Sequence, residues 1–260
     1  MSGKKLLIPG MRTGFSKLDM ESTGFHRGDL IFLAGRPCSG KTTFAAQVAE
    51  FAGLHENRTC LYFYLEWDAL WENMIFRRAK LKRHTIHGDW RKNAARKVRE
   101  RLLNAEKEFR SSRLFFDGDS NKLKDIIGRI KWLHSTKDLR FVVVDRIEIL
   151  REPVVAVRKL KELAVKLDIC ILACTGLPRR VEHRKDKRPL LSDLRYSAKL
   201  EKYADVVMFL YRDSNNWEEK IMELTVCKNP YKDSLFSDPI KLRLNEYGAF
   251  EECSVFEKVE

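Results

Sequence analysis

Residues 30–43 read Leu-Ile-Phe-Leu-Ala-Gly-Arg-Pro-Cys-Ser-Gly-Lys-Thr-Thr, and they constrain this chain more than any other segment. Four apolar residues and an alanine run into Gly35, four residues follow, and then come Gly40, Lys41 and Thr42. This is the G-x-x-x-x-G-K-[ST] phosphate-binding loop, with a buried strand before it and a helix after it over 42–50. Gly35 and Gly40 let the backbone curl so that successive N–H groups converge on an anion. The helix that follows aims its positive end at the same point. Lys41 brings a mobile charge to the outer phosphates, and the Thr42 hydroxyl is placed to ligate Mg²⁺. The expected nucleotide cradle is therefore Gly35, Arg36, Pro37, Cys38, Ser39, Gly40, Lys41, Thr42 and Thr43.

A loop of this kind needs a parallel sheet, and the rest of the chain supplies one. Strand-like apolar runs occupy 60–65, 113–117, 141–145, 169–174, 204–211, 221–227 and 239–244. Helical spacing occupies 122–133 and 154–167. Strands alternating with helices predict an α/β fold: a mostly parallel twisted sheet, helices on both faces, and an antiparallel C-terminal edge. No long linker or internal repeat divides the 260 residues, so one domain over 1–260 is expected. Residues 1–29, with turn-forming glycines and Asp29, form a lead-in to the first strand. Residues 69–110 form a basic helical segment that includes Arg77, Arg78, Lys80, Lys82 and Arg83, and its 90–109 half predicts an amphipathic helix with a basic face.

The net charge of +13 favours polyanionic partners, nucleic acid before membrane surfaces. No apolar run approaches the ~20 residues that cross a bilayer. The start, Met-Ser-Gly-Lys-Lys-Leu-Leu-Ile-Pro, is too short in apolar residues for a signal peptide, so a cytoplasmic protein without membrane association is expected. The six cysteines form no C-x-x-C pair. Cys170 and Cys174 read as small core residues, and Cys38 as a tolerated small residue in the loop rather than a reactive thiol. The histidines show no ligand spacing, so Mg²⁺ held with nucleotide is the one metal expected.

Hydrolysis adds two requirements. A carboxylate must serve the Mg²⁺ shell, and a group must orient the attacking water. Asp145 ends the strand 141–145 at the sheet edge where ligands of open α/β sheets gather, and it suits the first role. Glu66, just past the strand 60–65, is the leading candidate for the second role. Glu148 is the runner-up, and Asp68, which suits a helix cap, is a weaker third.

Beyond single sites, several ordered blocks carry a resemblance. They are Thr13-Gly14-Phe15-x-x-Leu18-Asp19, Gly24, Gly28-Asp29-Leu30, the phosphate loop with its internal Arg36-Pro37, Tyr64-Leu65-Glu66, Val143-Val144-Asp145, Asp186-Lys187-Arg188-Pro189, Ser192-Asp193-Leu194-Arg195, and Ala204-Asp205-x-x-Met208-Phe209-x-Tyr211-Arg212-Asp213. Together they resemble the motor domain of the bacterial replicative helicase DnaB family, over roughly 11–245. The resemblance implies a RecA-like P-loop NTPase fold without the family's N-terminal collar. It also implies a hexameric homo-oligomeric ring, ATP hydrolysed at subunit interfaces, single-stranded DNA as partner, and separate replication proteins as further partners. It assigns phosphate binding and catalysis to Lys41, Mg²⁺ to Thr42 and Asp145, and catalysis to Glu66. Lys228 matches a family lysine at the nucleotide, and Arg195 an arginine in the DNA-facing loop.

Three departures qualify it. Gly176 stands where the family carries a glutamine, a candidate γ-phosphate sensor. Pro230 stands where the family's Lys-x-Arg places the arginine that completes a neighbour's site. Tyr196 and Ala198 replace a family glutamate and glycine. A trans-acting arginine is worth about 10³–10⁵ in rate in GTPases. The alternative reading is therefore a RecA-like ATPase with weak or no turnover, acting as a nucleotide-switched DNA-binding or accessory protein. For nucleic acid, the run 179–188 predicts a disordered cationic loop in which Arg179, Arg180, Arg184 and Lys185, joined by Arg195, track a phosphate backbone.

Overall fold

The computed structural model describes residues 10–64, 69–83, 89–194, 197–213, 220–231 and 238–253. The readings placed on Glu66, Asp68, Arg195 and Tyr196 lie outside the described residues. The strands are β1 Leu30–Gly35, β2 Thr59–Tyr64, β3 Leu114–Asp117, β4 Leu139–Asp145, β5 Cys170–Gly176, β6 Val206–Tyr211, β7 Ile221–Lys228, β8 Ile240–Leu244 and β9 Phe250–Glu252. They form one sheet in the order β3-β2-β4-β5-β1-β6-β7-β8-β9. From β3 to β6 the pairings are parallel. From β6 to β9 they are antiparallel, which is the expected edge.

The strands of the parallel part read as unbroken apolar runs because both of their faces are covered. In β1, Ile31 and Leu33 face one core, while Leu30, Phe32 and Ala34 face the other. In β4, Phe141 and Val143 oppose Val142 and Val144 in the same way. The first core is built with α1 Ser16–Ser22, α2 Lys41–Leu54, α3 Leu70–Arg78, α4 Trp90–Asn93 and α5 Arg96–Ser111. The second is built with α6 Leu123–Lys137, α7 Pro153–Leu167 and α8 Ser197–Tyr203. Cys170 and Cys174 are buried in the first core as free thiols.

Three elements depart from the sequence reading. The helix expected over 90–109 is broken: α4 ends at Asn93, Ala94 is extended, and α5 begins at Arg96. The break lets Trp90 bury itself completely, and Arg99 donates to the carbonyls of Lys92 and Ala94 around it. The basic face of α5 is also largely compensated locally: Arg91 and Arg110 both pair with the buried Glu106, Arg96 pairs with Glu100, and Arg101 donates to the Ala79 carbonyl. Finally, α8 and the short strand β9 carry no clear periodic signal and were not expected.

Candidate nucleotide site

β1 ends at Gly35, and the chain turns through Arg36–Gly40 into α2. Two glycines are required here for steric reasons. A Cβ on Gly35 would lie 2.5 Å from the Leu210 carbonyl oxygen and from Ser39 Oγ. Gly40 has φ +91°, and a Cβ on it would lie 2.5 Å from Cζ of Phe250, on β9. Cys38 also takes a left-handed φ of 62°, with its side chain exposed. Ser39 N–H donates to the Arg36 carbonyl, closing the turn at 3.2 Å. The Lys41 ammonium reaches back inside the loop and donates to the carbonyls of Gly35 and Arg36, both at 2.9 Å. Burial pulls its pKa below the ordinary lysine value, and Glu148 and Asp145 act against that shift.

β4 lies two strands from β1, across β5, and brings Asp145 to the same sheet edge. Asp145 is 4 % exposed. Its Oδ2 accepts from Tyr62 Oη at 3.2 Å, and its Oδ1 is buried with no hydrogen-bond partner. Burial raises its pKa, and the hydroxyls of Thr42 and Tyr62, then the Lys41 charge, work against that rise. Cys174 lines the same spot, and burial pushes its thiol well above the ordinary range, so it is an inert neutral wall. A buried carboxylate oxygen without a partner, beside a threonine hydroxyl at a helix N-terminus, has the donor chemistry of a hard cation site. Among the described residues no group of three or more His, Cys, Asp or Glu side chains could hold an ion. Thr42 and Asp145 would therefore need phosphate oxygens as co-ligands, the usual habit of Mg²⁺.

β5 places Gly176 directly opposite Gly35 in the parallel register. Its N–H donates to Oε1 of Glu148 at 3.0 Å. Glu148 sits on the short turn Ile147–Ile149 that follows Asp145, and its Oε2 is buried without a partner. Sequence reasoning missed the Glu148–Gly176 contact, the Tyr62 support of Asp145 and the Phe250 ring under Gly40. The first could have been sought from the pairing of a glycine after β5 with an extra acid after β4. The others carry no sequence signal.

The segment 177–193 is folded where a disordered loop was expected, because its cations find partners within the chain. Arg36 of the phosphate loop donates to Glu182 and to the Leu177 carbonyl. Arg180 donates to the Ser192 carbonyl, and Arg184 pairs at 2.8 Å with the buried Asp193. Arg188 makes two hydrogen bonds to Glu223, which raises its pKa further. Arg179 and Lys185 are exposed. A cavity of about 330 Å³ separates this segment from the phosphate loop, bounded by Pro37, Ser39, Val181, Lys187 and Tyr211.

Lys228 does not join this chain's own phosphate loop. It pairs in register with Val207, which pairs with Phe32, three residues before Gly35 and so ~10 Å down the sheet. Its ammonium donates to the carbonyls of Glu201 and Ala204 at the end of α8.

A phosphate loop on the central strand of a mostly parallel sheet, with an acidic residue ending the strand two positions away, defines the RecA-like P-loop class. The chain belongs to the DnaB-like helicase C-terminal domain family, whose model matches residues 10–232. It is 31% identical over 245 residues to the replicative DNA helicase DnaB of Geobacillus stearothermophilus, covering 85% of this chain and 52% of that protein. It is 30% identical over 250 residues to a probable plasmid replicative DNA helicase of Chlamydia psittaci, covering 90% and 54%. The chain thus spans about half the length of the curated relatives it matches. Among solved structures it is similar to the "ATPase Domain of G40P", with a TM-score of 0.83 at 27% identity, covering 94% of this chain and 92% of that one. A DnaB-like replicative helicase solved for its interactions with primase gives a TM-score of 0.81, also at 27% identity, covering 93% and 61%. No helix among the described residues is long and apolar enough to cross a membrane.

Proposed function

We propose that this chain is an ATP-hydrolysing motor domain that works on single-stranded DNA during replication, as part of a homo-oligomeric ring. The observation that carries the reading is the buried, unpartnered Oδ1 of Asp145 beside Thr42 and Lys41, a carboxylate kept ready for a cation at a phosphate cradle. Lys41 and the N–H groups of the loop would hold the outer phosphates. Thr42 and Asp145 would hold Mg²⁺, which when bound neutralises charge on the transferred phosphoryl group. Tyr62 keeps the Asp145 carboxylate in place through its hydroxyl. Glu66 is proposed as the group that takes the proton of the attacking water. Lys228, which lies away from this chain's own loop, is proposed to serve a neighbouring subunit's nucleotide. Arg179, Lys185 and Arg195 are the proposed DNA contacts, with separate replication proteins as further partners.

The test is a steady-state ATPase assay with and without single-stranded DNA, alongside light scattering. The reading expects DNA-stimulated turnover by an oligomer. A second reading, a nucleotide-switched accessory protein, is favoured by Gly176 and Pro230, which remove two groups that relatives of this type would use. Bound ATP without turnover above background would establish that second reading instead.

A further inference from the structure

The residue at 176 lacks a side chain, yet the space is not empty. A Cβ built on Gly176 would lie 3.0 Å from Oε1 of Glu148, with nothing else but the Glu148 carboxyl carbon, at 3.9 Å, among its near neighbours. The Gly176 N–H donates to that same oxygen, so the backbone of β5 fixes the carboxylate. The other oxygen, Oε2, is buried and has no hydrogen-bond partner, while the side chain as a whole keeps 20% exposure. The carboxylate is close enough to act electrostatically on both Lys41 and Asp145. Its approach is fixed by an unusual backbone: Arg146 takes a φ of 69°, and the turn Ile147–Ile149 then swings Glu148 over the end of β5. An unpaired buried carboxylate oxygen is costly to keep, and an acceptor held so near the loop needs a donor.

We propose that Glu148 helps to hold the attacking water, accepting a hydrogen bond from it at Oε2 while Gly176 anchors Oε1. This rests on the hydrolytic reading above. A carboxylate cannot donate to a phosphate oxygen, so its partner is the water and not the γ-phosphate. Glycine at 176 suits this arrangement, because even a Cβ there would press on Oε1 and make the carboxylate give by a few tenths of an ångström.

The experiment compares single variants of the full chain, with kcat, KM, ATP affinity by calorimetry, and thermal midpoint measured for each protein. Glu148→Gln keeps an oxygen for the Gly176 N–H and removes the second acceptor. It is expected to lower kcat by about 10² while ATP affinity and midpoint stay near wild type. Glu148→Ala is expected to fall at least as far, and Gly176→Gln alone to fall because it displaces the carboxylate. Turnover of Glu148→Gln within twofold of wild type, or an ATP affinity that falls as far as kcat does, overturns the proposal with hydrolysis still standing. A wild-type protein that binds ATP without turning it over overturns both together.

Discussion

Two carboxylates are buried at opposite edges of the same sheet, and they are buried for different ends. Asp145, at the C-terminal edge, is surrounded by groups that oppose its neutralisation: the hydroxyls of Thr42 and Tyr62 and the Lys41 ammonium. Asp29, just before β1 at the other edge, takes a hydrogen bond from Tyr231 Oη at 2.6 Å, and burial with the nearby Asp205 pushes its pKa up to about 6. Around it Lys161 is bound to Asp205 and the Gly28 carbonyl, and the Tyr231 ring stacks on His26. One edge keeps an acceptor and cations poised for a ligand. The other ties the lead-in segment, α7 and the end of β7 together. Neither burial nor an unpartnered oxygen marks a functional carboxylate by itself, since Asp29 Oδ2 also lacks a partner; what sets Asp145 apart is the phosphate loop beside it, with Lys41 and Thr42.

The largest effect should come from the first edge. Lys41→Ala and Asp145→Asn are each expected to cut ATP turnover by on the order of 10³ without lowering the thermal midpoint; unchanged turnover in either variant would break the contrast. Next, Asp29→Asn should leave turnover alone and alter stability. The folded state raises this carboxyl from the ordinary 3.8 to about 6. Its contribution is therefore fully present below 3.8 and is lost as pH rises through 6. Wild type minus variant stability, from urea titrations, should drop by up to about 3 kcal/mol between pH 3.5 and pH 7, and a flat difference would refute the assignment.

Smaller effects should separate the two kinds of arginine in 177–193. Arg184→Ala leaves Asp193 buried without its cation; because Arg184 is about one-third exposed, a loss of about 1–2 kcal/mol is expected, seen as faster proteolysis within the segment. Lys185→Ala should change neither stability nor proteolysis. It should reduce the salt dependence of single-stranded DNA binding by about one ion, and an unchanged slope would remove Lys185 from the interface.

Much of the architecture was legible because its causes are local. Short β-branched apolar runs such as Phe141–Val144 read as strands covered on both faces, and Gly35, Gly40, Lys41 and Thr42 have a spacing set by phosphate geometry. The hidden features depend on register and close approach. Lys228 matches a nucleotide-site pattern in sequence, yet its pairing opposite Val207 carries it to the far edge. The cations of 179–188 look solvated as a string of letters, but Asp193 and Glu223 are brought to Arg184 and Arg188 by the fold, as Glu182 is to Arg36. Phe250 lies 210 residues from Gly40 in the chain and against it in space, and nothing in either neighbourhood announces the contact.

That last contact sets a boundary for anyone cutting or rebuilding this domain. The Gln47 amide clamps the backbone of Phe250 from both sides, giving a hydrogen bond to its carbonyl and taking one from its N–H. The ring so anchored lies under Gly40, where α2 begins. A gene fragment ending before codon 250 would retain every residue of the phosphate-binding motif and still lose the floor on which the motif rests. The smallest portable nucleotide-binding unit is therefore defined by its final strand as much as by its signature loop.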